Sequence, residues 1–519
     1  MRACKIFSIV CGPVKCSFRK LAQICGISKS SAHRHAQAIK NRNLYPESHL
    51  WEREEGLNWL KLLFFGAIIF FGVMCGIGAE KLSIFFTFLR LNKHIGVSPS
   101  TIKKYCEKAC ELFDKYQQEQ EEKHQLGEPL KIVGGIDETY FNTMILVLMD
   151  LSSGYIFIEE ESGDKSYETW LEKAKKVAKK FNIEFKFFVS DRAKQLIKLA
   201  VQGFKSSSIP DLFHASHELV KLFGLSFNRK IDGIQKKLAK EIAKLAILKE
   251  LSKDISGQEV IIKELEKQQI IVEKGLSTYH EILHKLSLIM HPFDVKDSSK
   301  RTSALVKVLL NKILKEAENL KEEHNLSSKK DHMEKFKNQI NEMASLIDIW
   351  WIWVDECLKD NPISEDFKVW LKEYLLPMMY WHNQADRTKN PDLKEEYIYA
   401  AEKAQEKLNN HPLTRQFIQN EEMVSWAKWM VSNFQRTSSA VEGRNGWLSQ
   451  MHHNGRGLSS KRLKAQTVLH NFYLKRCDGS TAAERLFRKK FPDPLEWVVN
   501  RMGDLPLPRN LDEGCGGIP

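Results

Sequence analysis

Between residues 131 and 203 short apolar runs alternate with turn signals. KIVGGIDETYF, MILVLMD and YIFIEE are separated by Asn142-Thr143 and by Ser152-Ser153-Gly154, a pattern that predicts three successive strands. The period then changes. Tyr167, Trp170, Leu171, Ala174, Val177, Ala178 and Phe181 recur at three- and four-residue steps, as on one face of an amphipathic helix. FKFFVS reads as a buried strand, and Asp191 opens another helix through Leu199. The predicted order is β-β-β-α-β-α. Three meandering strands and a crossover helix allow the first and fourth strands to lie side by side and parallel, the arrangement of a ribonuclease-H-like core.

The chain on either side reads as helix. From roughly 218 to 430 the apolar positions of IQKKLAKEIAKLAILKEL and of Gln258 to Met290 suggest paired helices or a short coiled coil, and Asp348–Trp353 and Met378–Trp381 suggest a tryptophan-rich core. Near the N-terminus, residues 17–40 have the grammar of a helix-turn-helix: an apolar-periodic helix, a turn at Gly26, then Ser28 capping a second helix. Lys29, Ser30, Ser31, His33 and Arg34 would open that second helix, where such modules contact bases and phosphates. A second module is expected near 80–105, where Ser98 can cap and Pro99 suits the first helical position. Leu62 to Ala79 is apolar throughout but borderline in length for a bilayer and interrupted by glycines, so a buried helix is expected rather than a membrane span. The expected division is a helical DNA-binding region (1–128), the first part of an α/β ribonuclease-H-like core (129–217), a large all-α insertion (218–430), the rest of the core (431–504) and a disordered tail rich in Pro and Gly (505–519).

Composition narrows the partners. The 519 residues carry 79 Lys and Arg against 66 Asp and Glu, a formal net charge of +13, which points to an anionic partner such as nucleic acid. Ten cysteines without a C-x-x-C pair make no disulfide framework and fit a reducing cytosol. Cys11, Cys16, His33 and His35 match no familiar zinc spacing.

An enzyme working through hard divalent ions needs two or three carboxylates converging from different elements. Asp137 stands on the first strand among apolar and small neighbours, and Glu138 beside it must face the other way. Asp191 ends the fourth strand, and a parallel neighbour would bring it close to Asp137; a helix N-cap is its structural alternative. Glu442 supplies the third carboxylate, 251 residues after Asp191, with a capping box from Ser439 as its structural alternative. Arg436, Arg444, Arg456, Lys461 and Arg462 surround it and would hold a phosphate backbone. His214 and His217 could be metal ligands, but a lone H-x-x-H reads rather as structural or DNA-facing, and Asp150, a rival carboxylate, suits a turn better.

These residues resemble bacterial insertion-sequence transposases of the DDE type in which a large helical insertion splits the catalytic core. The matching text is GIDETYF with ILVLMDLSSGYIFIEE, VSDRAKQLIKLA, SSAVEGRNGWLSQMHHNGRGLS and NFYLKRCDGSTAAERLF, and it extends into SKSSAHRHAQAIKNRNLYPES and GIGAEKLSIFF. The resemblance implies Mg2+-dependent cleavage of transposon ends and strand transfer, with Mn2+ as a possible substitute and Asp137, Asp191 and Glu442 as metal-binding acids. It further implies double-stranded DNA as partner, a homodimer on that DNA, and a cytoplasmic, nucleoid-associated protein without a membrane. Some related enzymes carry Tyr-Arg-Glu-Lys around the last acid, with Arg four residues before Glu. Ser438 stands there in this chain, so Arg436 or Arg444 would have to serve. The rival expectations are a catalytically inactive or repurposed DNA-binding descendant and a nuclease of the same fold.

Overall fold

The computed structural model describes residues 6, 8–10, 12–13, 16–41, 50–51, 54–123, 128–327, 330–359, 361–455 and 457–508. Its centre is one mixed five-stranded sheet of β1 (Leu130–Tyr140), β2 (Met144–Asp150), β3 (Ile156–Ser162), β4 (Ile183–Ser190) and β5 (Ser207–Pro210), in the order β3-β2-β1-β4-β5. β1, β2 and β3 pair antiparallel, whereas β4 pairs parallel with both β1 and β5. The second hairpin is shaped by Gly154, at φ +78°, and by Asp150, whose carboxylate accepts from the backbone of Val133, Ser152 and Ser153 and from the Ser153 hydroxyl. Asp150 is thus a turn residue.

Helices of eight residues or more are numbered in chain order. α1 (Phe18–Cys25), α2 (Lys29–Asn41), α3 (Glu54–Ala67), α4 (Ala79–Phe88) and α5 (Pro99–Glu122) precede the sheet, and α6 (Tyr167–Phe181) crosses over between β3 and β4. After β5 come α7 (Leu212–Glu250), α8 (Ser256–Ile289), α9 (Ser303–Glu323), α10 (Ile340–Lys359), α11 (Leu376–Arg387), α12 (Pro391–Asn410) and α13 (Glu421–Ser432). α14 (Ser439–Gly455), α15 (Ser460–Phe472) and α16 (Pro494–Arg501) close the described chain.

Strand alternation gives the sheet two buried faces. Val133, Val147, Phe187 and Val189 join a core that runs through α7, α8 and the tryptophans of α10 and α11 to Val441 and Leu448 of α14. Ile132, Ile136, Leu148 and Phe188 join a second core with α3, α5, α6 and α15. α1 and α2 enclose a small core of their own with Ile6, Leu21, Ala22, Cys25 and Ala32.

The expected strands and crossover helix are present; β5 is additional, because SSIP has no strand pattern and is extended only by pairing with β4. Lys29–Asn41 follows the αL turn at Gly26, and Ser98 caps α5 through the Thr101 amide with Pro99 in its first turn. Glu54–Met74, α3 with the π-helical turn after it, is long and apolar enough to cross a membrane, yet 44% of its most apolar 18-residue stretch is buried inside the protein. Two expected limits shift. α7 runs unbroken through 217/218, so the sheet gives way to helix at Asp211. The tail does not loosen at 505: Leu505 packs on the second core and the Gly96 amide donates to the Pro506 carbonyl at 2.8 Å, while 509–519 lie outside the described residues.

Candidate metal centre

The parallel register places the first two acids. Gly135 is opposite Val189, so two residues further Asp137 comes alongside Asp191, just past the end of β4. Asp137 shares its face with Val133 and Gly135, toward α14. Its Oδ1 accepts from the Glu138 amide at 2.9 Å and its Oδ2 from Asn445 Nδ2 at 2.7 Å. Burial pushes the Asp137 carboxyl up to about 6; the Asp191 charge adds to this, while the Glu138 amide and His214 oppose it. Glu138 faces the other way, where its Oε1 accepts from Trp170 and Gln195, both at 3.1 Å. Asp191 is exposed and is not a helix cap: its Oδ1 accepts from the Ala193 amide at 2.9 Å, a local turn, and the short helix after it begins only at Lys194.

The third acid arrives on α14. Ser438, Val441, Glu442, Asn445 and Leu448 recur at helical spacing, and all but Glu442 are tied to the protein interior by burial or by a hydrogen bond to the sheet. The helix can approach β1 because Gly135 has no side chain; a Cβ there would stand 2.9 Å from Val441 Cγ2 and collide with the Leu151 side chain. α14 begins at Ser439 itself, so Glu442 is not held in a capping box with that residue. Its Oε1 instead lies 2.9 Å from His214 Nε2. Burial and Asp211 push the Glu442 carboxyl above the usual range, and His214 opposes them.

Asp211 was not among the expected site residues. It is fully buried and caps α7, its Oδ1 accepting from the Phe213 and His214 amides, while its Oδ2 accepts from the amide and the hydroxyl of Ser438. The Leu212 amide donates to the Arg436 carbonyl at 2.9 Å. The starts of α7 and α14 are thereby pinned together across 227 residues of chain. Donor atoms of Asp211, His214 and Glu442 all lie within 4.8 Å of one another, a set without Asp137 or Asp191. His214 lies near both groups, opposing the rise of the Asp137 and the Glu442 carboxyl alike. His217 does not join it and stacks on Phe213. Asp directly before an amphipathic helix was the available signal for Asp211, but a cap reading accounts for it fully until Ser438 is seen beside it.

Most of the expected phosphate-binding cations are engaged inside the protein. Arg444 is buried in a two-pronged pair with Glu159, at 2.7 and 2.6 Å, and lies against the Trp447 ring. Arg436 donates to the carbonyls of Ser287 and Met290 and to the Tyr397 hydroxyl. Arg462 donates to the Val73 carbonyl and packs over Gly76. Basic helix faces and buried arginines look alike in a sequence, so the pattern alone puts these three on DNA. Lys461 is exposed and pairs with Glu111, and Arg456 lies outside the described residues. On α2, Lys29, Ser30 and His33 are exposed, while Ser31 and Arg34 are half-buried and 3.3 Å apart.

Residues 371–513 match the model of a family described as a family of unknown function, DUF6399. The matched stretch includes Glu442 and the whole of α14, and excludes Asp137, Asp191, Asp211 and His214. No curated protein matches the chain.

Proposed function

We propose that the protein is a DNA transposase on a ribonuclease-H-like sheet, with Asp137, Asp191 and Glu442 as its acidic set. The observation that carries this reading is the register that brings Asp137 and Asp191 together at the ends of two parallel central strands, on the face where α14 delivers Glu442. The strand order, with three antiparallel strands followed by a parallel fourth and fifth, supports the ribonuclease-H-like assignment.

The donors fit a hard divalent ion. Three carboxylates come from three separate segments, and the Asp137 carboxyl is raised as burial and gathered negative charge would raise it. Asp137, Asp191 and Glu442 would hold Mg2+, with Mn2+ as a substitute. When bound, such ions lower the pKa of a nucleophilic oxygen and neutralise charge on the phosphate.

The chain's own residues set the geometry. Asn445 and the Glu138 amide fix the Asp137 carboxylate, one oxygen each, and the local turn at Asp191 fixes the second. The reaction proposed is in-line attack on a phosphodiester by water, then attack by the freed 3′ hydroxyl on target DNA. The exposed start of α2, with Lys29, Ser30 and His33, is the surface proposed to recognise the ends of the element. The interior roles of Arg436, Arg444 and Arg462 shift backbone binding onto other cations, of which Lys461 is an exposed example.

The test is incubation of the full chain with Mg2+ and supercoiled DNA carrying the sequences that flank its coding region, beside Asp137→Asn and Asp191→Asn. Nicking and strand transfer are expected from the native protein alone, with DNA binding kept by all three. Cleavage by either variant would remove that acid from the site. Nicking without joining would favour a nuclease, and specific binding without products a non-catalytic DNA-binding protein.

A further inference from the structure

We infer that His214 is a metal ligand: its Nε2 joins Glu442 to form a mixed nitrogen and oxygen seat that takes a borderline transition ion such as Mn2+ in preference to Mg2+. The inference deepens the acidic-site reading and rests on it for the presence of a divalent ion.

Two atoms carry it. Glu442 Oε1 and His214 Nε2 are 2.9 Å apart, and with Asp211 their donor atoms lie within 4.8 Å of one another. A direct ion pair between partly exposed groups would contribute at most about 1 kcal/mol and would not by itself hold this arrangement. An ion with metal–ligand distances of about 2.1 Å in octahedral geometry places neighbouring donors about 3 Å apart. The observed separation matches that spacing.

The surroundings hold both donors in place. His214 stands in the first turn of α7 and Glu442 in the first turn of α14, and Asp211 fixes the two helix starts to each other through Phe213, His214 and Ser438. The Asp211 oxygens already accept four hydrogen bonds, so Asp211 positions the ligands and offsets the positive ends of two helices, without itself binding the ion. Magnesium favours all-oxygen shells and keeps its waters, whereas imidazole suits later, softer divalent ions. One imidazole beside one carboxylate therefore tilts the seat toward Mn2+.

The measurement is Mn2+ binding to the full, chelator-stripped protein, followed by electron spin-echo spectra of the bound ion. Native protein is expected to bind Mn2+ more tightly than Mg2+ in competition, with nitrogen modulation in the echo from a directly bound imidazole. His214→Gln should abolish that modulation and weaken Mn2+ binding by at least about tenfold. The His214 side chain is 41% exposed, so the variant is expected to fold, and a thermal melt checks this. Mn2+ bound without nitrogen modulation, modulation surviving in His214→Gln, or no Mn2+ binding at millimolar concentration would each overturn the inference. The DNA assay separates the two proposals. Nitrogen modulation in a protein that cuts no DNA keeps the ligand and sinks the transposase, and cleavage without modulation does the reverse.

Discussion

At Asp137 a carboxyl group is withdrawn from water beside a second carboxylate, and its folded-state pKa rises to about 6 from an ordinary value near 3.8. The folded protein then holds this proton more tightly than the unfolded chain does. Between about pH 4 and pH 6 stability falls as pH rises, and above pH 6 the full penalty applies, at most about 3 kcal/mol. Asp137→Asn removes the charge. In chelator, urea unfolding should find the variant gaining on the native protein from pH 4 to pH 8, and equal pH slopes would show that Asp137 is not strained. A hydrogen bond weakened toward Asn445 shifts both pH values alike, so the difference between them is the readout. The sequence reading of His214 as structural or DNA-facing rested on little: H-x-x-H decides nothing until one ring nitrogen is found 2.9 Å from Glu442 and the other histidine is found on Phe213.

On the scale of elements, the decisive contact is between β1 and α14. The two segments are separated by some three hundred residues, and the space left at Gly135 sets how closely the helix can lie on the strand. Gly135→Ala would press on Leu151 and Val441, with an expected cost of about 1–3 kcal/mol in urea unfolding. Because the same displacement moves Glu442, cleavage should fall by about a hundredfold or more, out of proportion to the stability lost. Unchanged cleavage with lowered stability would mean that α14 does not position the third acid. The strands β1 to β4 and helix α6 were legible because their patterns are local: alternation, a 3.6 period and turn residues. β5 was not, since its four residues become a strand only through β4. Nor was the engagement of Arg444, whose partner Glu159 lies on a strand 285 residues away.

For the whole molecule, the helical block shares its core with the sheet. Val133, Val147, Phe187 and Val189 pack in one continuous cluster with α7, α8 and the tryptophan-rich helices, so the block is not a removable loop. Its outer end differs, because the shared core takes nothing from α7 beyond Ile234 and nothing from α8 before Val272. Replacing residues 236–267 with a short Gly-Ser turn should lower Tm by no more than about 5 °C, loop length entering stability only logarithmically. Deleting 218–430 should leave no cooperative melt. A folded, two-state deletion product would show that the sheet and its second core suffice alone.

The sequence by itself determined the order of β1 to β4 with helix α6, the opposite facing of Asp137 and Glu138, and the placing of Asp191 beside Asp137, because each follows from a repeat period and one topological rule. The tertiary structure alone decided the surroundings of Glu442. That carboxylate meets Asp211 and His214 because two helix starts are pinned together across the chain, and the arginines around it turn inward because their partners lie on distant elements. Contacts of that range leave no local pattern to read, since neither partner's neighbours in the chain record which remote group it will meet.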